Sequence, residues 1–547
     1  MTHPHISQAT SLRLNELTKV SLFEAVKLCI ILKPISKGNS NELISNLRNI
    51  KHHHGLYYFA ESTTSSASDP LKKVDSQIRN GFTTGGAVFD INKVPNWEEY
   101  EKETRNIRYK AHSWLMLDSL LVADQIVEHN EYLQKAIDIS DDWIINFIFR
   151  NRYDEFAWYD MAVGQRATKL AYMLRRLIEI KASEDQIFRF IIATELHICE
   201  LTQEDRIAIH SNHGLFQMAG LLSLCHNVTW MLKSNNGIQF SEKILQKMLN
   251  NHFAEDGLHL EHSPDYHLYM VNHLQSLKDS GWLSEGLDSV LKLLNSIIEA
   301  ADWMCTPNHH VIPIGDTANN VLMTKRWGGY QGSLNLGYQF FPIGGLLINN
   351  SNEGGLLSQL VFSAQFHSRQ HKHADDLNVL YNLRGQPLLV DPGTYVYQYN
   401  HPHRMYCEST RGHNTVEIDG LNYSRFGQDG FGSAVTLVAK ADECIIAEGR
   451  VHRTRLISSA IPNNEIKSTD ALPVDIHQRR IIIERPGYFL AVIDVLNSET
   501  NHEYTPWYHI HPNLLARKDS STRLGVYDED GNKHCQIQCY DSDANSI

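Results

Sequence analysis

Paired cysteines, membrane-length apolar runs and an excess of basic charge are all missing from this 547-residue chain. Its eight cysteines (Cys29, Cys199, Cys225, Cys305, Cys407, Cys444, Cys535, Cys539) include no Cys-x-x-Cys and form no dense framework, so free thiols in a reducing compartment are expected. No uninterrupted apolar stretch reaches bilayer-spanning length, so no membrane partner is expected. The best leader candidate, SLFEAVKLCIILKP, carries Glu24 and Lys27 and starts late, which points to the cytoplasm. A formal net charge of −13, from 50 basic and 63 acidic residues, argues against nucleic-acid partners. It leaves room for a basic cleft that takes a polyanion. A strict internal period and a low-complexity linker are also missing, and so is a carboxylate pair of the glycosidase kind.

The chain is too long for one ordinary core, so two domains are expected. Hydrophobic content of 42% with 21% charged residues is that of a soluble globular protein. Thirty histidines stand out, but most are scattered, and His52, His53 and His54 are expected at the surface. Residues 1–325 read as serial helices, with apolar three- and four-residue steps over 113–127, 165–180, 185–202, 214–232, 241–253, 265–277 and 287–304. Helix follows helix across short polar links, which fits a helical toroid or a stacked array. From 326 to 547 the texture is Gly-rich, aromatic and alternating. Leu377, Val379, Tyr381 and Leu383 alternate, as do Val416 and Ile418, and 479–496 reads as a hairpin around Pro486-Gly487. Many short strands between turn residues predict an antiparallel β-sandwich, giving an α+β multidomain chain.

Four constellations carry chemistry. Ser211-Asn212-His213-Gly214 precedes a helical run, either as a plain cap or as an amide and imidazole placed to receive a carboxylate. Glu261-His262-Ser263-Pro264-Asp265-Tyr266-His267 has Ser263 as N-cap and Pro264 at the first helical position. Tyr266 then falls in the first turn, either packing its ring or exchanging a proton at the positive end of the helix. His371 and His373 share a face of an extended segment, as two metal ligands or as one ligand and one base. Asp391 and His413 would complete with His373 a three-ligand open zinc site. Reflected about the turn near Gly385, however, Asp391 faces position 379 rather than 373. The bland alternatives are an Asp391 that caps its Asp-Pro-Gly-Thr turn and a His413 that is simply buried and hydrogen-bonded. Arg369, Lys372, Arg404 and Arg411 surround these motifs and would supply a local positive field.

Taken together, Asn212-His213-Gly, Ser263-Pro264-x-Tyr266-His267, His371-x-His373-Ala-Asp, Val390-Asp391-Pro-Gly-Thr-Tyr and Gly412-His413-Asn-Thr-Val resemble the heparinase II/III-like polysaccharide lyases. The resemblance spans most of the chain, except the region before about residue 90 and the tail after about 500. It implies an (α/α) toroid followed by an antiparallel β-sandwich, and β-elimination on an acidic uronic-acid polysaccharide. By resemblance, Asn212 with His213 neutralises the substrate carboxylate. Tyr266 protonates the leaving oxygen, and His371 is the alternative base. Arg369, Arg404 and Arg411 contact substrate, while His373, Asp391 and His413 hold a structural zinc. Relatives of this kind act in the periplasm or outside the cell, against the cytoplasmic reading above. A homodimer is the default assembly. The competing readings are a metal-dependent hydrolase or oxygenase on the sandwich, and a non-catalytic carbohydrate-binding protein.

Overall fold

The computed structural model describes residues 6–31, 40–48, 69–84, 86–127, 130–284, 287–396, 398–426 and 429–540. His52, His53 and His54 lie outside these described residues. The chain divides into two compact units, Met1–Asn251 with Asn272–Lys292, and His252–Val271 with Leu293–Ile547. Residues 252–271 and 293–325 read as part of the helical segment by sequence but group with the strand-rich unit. Tyr266 therefore belongs to the same unit as the His371–His413 motifs.

The first unit is built from helical hairpins, including Asp118–Val127, Asn130–Ile144, Asp160–Glu179, Glu184–Leu201 and Asn212–Asn227. Their ends follow local chemistry. Ser183 caps Glu184–Leu201 by accepting from the Gln186 N–H at 3.4 Å, and Glu184 and Asp185 complement the positive end of the dipole. Two glycines set a close helix crossing. A Cβ on Gly220 would collide with the Gly164 carbonyl, and one on Gly164 would lie 2.5 Å from the Phe216 carbonyl oxygen. Asp160–Glu179 and Asn212–Asn227 therefore meet backbone to backbone, which brings the start of one beside the start of the other.

The second unit holds two five-stranded antiparallel sheets and a three-stranded one. One sheet runs Gly337–Phe341, Leu346–Glu353, Leu356–Ser363, Asn378–Leu383, Gln386–Leu389. The other runs Asn422–Tyr423, Cys444–Ile457, Ala471–Arg485, Phe489–Asn497, with Val435–Ala441 also on Cys444–Ile457. The hairpin expected around Pro486-Gly487 is present, with Arg485 opposite Phe489. Leu347, Leu360, Phe362 and Val379 pack with Ala447 and Ile482 from the facing sheet. Each such large aliphatic or aromatic side chain contributes about 1.5–3 kcal/mol on full burial. Strand Asn378–Leu383 is buried on both faces. Its apolar residues enter the core, and Asn378 turns its amide toward the loops described below.

Among the described residues no cysteine is paired, and no helix is long and apolar enough to cross a membrane.

Candidate active site

In the helical unit, Asn212 opens helix Asn212–Asn227, and Ser211 caps it by accepting from the His213 N–H at 3.3 Å. The cap is made by Ser211, which leaves the half-exposed Asn212 amide at the positive end of the helix. His213 Nδ1 lies 3.2 Å from Asp160 Oδ1, a partner delivered by the glycine crossing. Asp160 escapes sequence reading because the pair spans 53 residues. Tyr159 packs edge-on to His213, with ring centroids 5.9 Å apart. Tyr159 and Asp160 also line a cleft of about 350 Å³ with Trp158, Asp205 and Arg206.

In the second unit, helix Pro264–Asp279 begins where Ser263 and Pro264 predict. Ser263 Oγ lies 2.9 Å from Thr317 Oγ1, which also accepts the Asp265 N–H at 3.2 Å. This fixes the first turn. Tyr266, half-buried there, stacks on His371 with ring centroids 3.6 Å apart and planes 21° from parallel. The chain at His371 has φ +54°, a left-handed conformation that is uncommon away from glycine and tends to occur at functional sites. Gly315 makes room for it, since a Cβ there would lie 2.9 Å from the His371 carbonyl oxygen and 2.5 Å from that of His262.

Two residues of the same motif, given no role by sequence, tie the pair together. His262 Nδ1 donates to the Gln370 carbonyl at 3.0 Å, and its Nε2 accepts the His367 N–H at 2.9 Å. Burial pushes its pKa well down, so the neutral ring clamps the His371 loop to the Tyr266 helix start. Glu261 Oε2 sits 3.0 Å from His371 Nδ1 in a close contact that lacks hydrogen-bond alignment. Burial opposes ionisation of Glu261, but the His252 and His371 imidazoles outweigh it and hold its carboxyl below the usual range.

The predicted metal residues are brought together in part. His413 Nδ1 pairs with Asp391 Oδ2 at 2.7 Å, and the two rings His373 and His413 are 5.4 Å apart. Asp391 also accepts from the Asn378 amide at 2.6 Å and the Gly393 N–H at 2.9 Å. Burial disfavours its charge, yet the His413 imidazole holds its pKa low. His413 is correspondingly raised by Asp391 against its own burial. Asp391 thus faces Asn378, near the hairpin position expected of it, and the same carboxylate oxygen meets the His413 imidazole. His373 Nε2 instead meets Asp316 Oδ1 at 2.9 Å, and the ligand atoms of Asp316, His373 and Glu408 gather within 4.8 Å. Among the described residues His373 Nδ1 and His413 Nε2, both fully buried, have no hydrogen-bond partner. Two such imidazole nitrogens fit a borderline-soft cation such as zinc.

The three arginines separate. Arg404 is buried, with its guanidinium on Asp316 at 2.6 Å and Glu408 at 2.5 Å, so it lies beneath the site instead of meeting substrate as expected. The reason is its helix, Pro402–Glu408, which turns Arg404, Cys407 and Glu408 inward together. Arg411 is half-exposed, paired with Glu417 at 3.1 Å and lying over Trp507. Arg369 lies over the Phe426 ring at 5.6 Å.

The heparinase II/III N-terminus model matches residues 21–326, and the heparinase II/III-like C-terminal model matches residues 337–547. Among solved structures, heparan sulfate lyase HepC from Pedobacter heparinus aligns with a TM-score of 0.68 at 15% identity, covering 98% of this chain and 85% of that one. A structure of heparinase III aligns with a TM-score of 0.64 at 13% identity, covering 97% and 84%. At these identities the likeness is one of fold. No curated protein sequence matches the chain.

Proposed function

The chain belongs to the heparinase II/III family, whose N- and C-terminal domains it carries in order, and on that premise we propose that this polysaccharide lyase cuts a glycosaminoglycan by β-elimination, leaving unsaturated uronate ends. The observation that carries the proposed roles is the Tyr266–His371 stack at 3.6 Å, mounted at the start of a helix. Elimination needs the C5 proton acidified and removed and the leaving glycosidic oxygen protonated. A phenol beside an imidazole supplies both proton transfers. In this reading Tyr266 donates to the leaving oxygen and takes the C5 proton where both lie on one face. His371, with Glu261 behind it, is the base for the opposite uronate epimer. Asn212, at the positive end of its helix, and His213, oriented by Asp160, neutralise the carboxylate and stabilise the developing enolate-like charge.

A zinc ion would be held by His373 and His413, with Asp391 fixing the His413 tautomer. Its contribution is to cross-link the loops around the strand Asn378–Leu383. Arg369 and Arg411 supply cationic contacts to the polyanion, and Arg404 supports the site from below. A hydrolase or oxygenase confined to the sandwich leaves the Tyr266 helix unexplained, and a binding-only protein leaves the acid–base pair idle. Neither is favoured. The test is ultraviolet absorbance of unsaturated uronate on a glycosaminoglycan panel. Tyr266→Phe is expected to lower turnover by roughly 10²–10⁴-fold, the range for losing a general acid–base group, with substrate binding retained. Wild-type turnover in that variant removes Tyr266 from the mechanism.

A further inference from the structure

A second group of potential ligands lies one carboxylate away from His371. His252, His259 and Glu261 bring one ligand atom each within 4.8 Å of one another. The His252 and His259 rings lie parallel, 9° apart in plane with centroids at 6.2 Å, and His252 Nδ1 is 3.7 Å from Glu261 Oε1. The cluster is distinct from His373 and His413, with which it shares no residue.

Ordinary packing does not explain His259. The side chain is 3% exposed, yet among the described residues neither of its ring nitrogens has a hydrogen-bond partner. A buried imidazole normally places its N–H on a carbonyl or carboxylate, as His267 does on the Ile297 carbonyl at 3.0 Å. Leaving a buried polar atom unmatched forfeits its hydration without return. Beside it, the Glu261 side chain is 15% exposed, so the group presents two buried imidazoles and one partly buried carboxylate. Two nitrogens and one carboxylate oxygen, with a fourth position open, are the donor set of zinc-type cations and are poor for calcium or magnesium.

We propose that His252, His259 and Glu261 form a second cation site of the zinc class. A cation there takes a lone pair from His259 and fixes Oε1 of Glu261, while Oε2 remains on His371 Nδ1. The site stands on its own geometry. Only its consequence for His371, a fixed partner behind the proposed base, rests on the lyase reading.

The test is zinc added to chelator-stripped protein in a background of His373→Ala, His413→Ala and His452→Ala, which disables the other candidate ligand groups. The expected result is one equivalent of zinc bound per chain by this background and none when His259→Ala is added to it. No binding in the first variant, or undiminished binding in the second, overturns the proposal. Should either variant fail to fold, zinc-edge anomalous diffraction from wild-type crystals soaked in zinc decides it. A peak about 2.0–2.2 Å from nitrogens of both His252 and His259 is expected, and a map with none there refutes the site. Because neither readout involves turnover, failure of the lyase reading leaves the result intact.

Discussion

Tyr266 and His371 meet because two left-handed backbone positions, His262 and His371, are packed against the one glycine, Gly315, that tolerates both. Their motifs are visible in the sequence, since Ser-Pro-x-Tyr and His-x-His have recognisable spacing. Their partners are less so. Glu261 and His262 sit in a motif whose spacing speaks for its helix cap alone, and Asp160 reaches His213 only through a helix crossing. Arg404 marks the limit of reading charge from sequence proximity. It lies among the motifs, yet its pairing with Asp316 and Glu408 is internal. Arg404→Ala is therefore expected to leave two buried carboxylates short of a counter-charge and lower stability by about 3–5 kcal/mol. Chemical denaturation measures this. A variant of wild-type stability with a raised KM would restore Arg404 to the substrate-facing set.

At the scale of elements, the helices and the 471–497 hairpin were legible because burial of one face imposes a period that composition alone cannot hide. The grouping of 252–271 with the strand-rich unit was not legible, since a helical period says which face is buried but not against what. The sandwich also hides a charge that patterning misses. Glu484 on strand Ala471–Arg485 is fully buried, bonded by the Asn349 amide of the facing sheet at 2.8 Å. Burial raises its pKa to about 7 from an ordinary value of 4.5, against the Asn349 bond. The folded state then holds a proton that the unfolded chain releases near pH 4.5. Stability accordingly falls as pH rises from about 4.5 to 7 and levels off above, by roughly 3 kcal/mol for this group. Glu484→Gln keeps the shape and removes that slope. Denaturant midpoints across the same pH range check it, and an unchanged slope would show that Glu484 ionises freely in the fold.

For the whole molecule, the acidic balance of the chain and a polyanionic substrate are reconciled locally. The net charge of −13 falls mostly on the second unit, within which Arg369 and Arg411 accompany the motifs and make the field locally positive. Which polymer is cut depends on contacts that chain composition does not encode, while the reaction class follows from the groups present. Elimination breaks a carbon–oxygen bond without adding water, so the decisive measurement is cleavage of a glycosaminoglycan in heavy-oxygen water with mass analysis of the fragments. The account predicts fragments whose masses sum to that of the uncut chain, with no label at the new ends. Fragments carrying one labelled oxygen per cut would mean hydrolysis, and would contradict the assignment of Tyr266 and His371 as an eliminating acid–base pair.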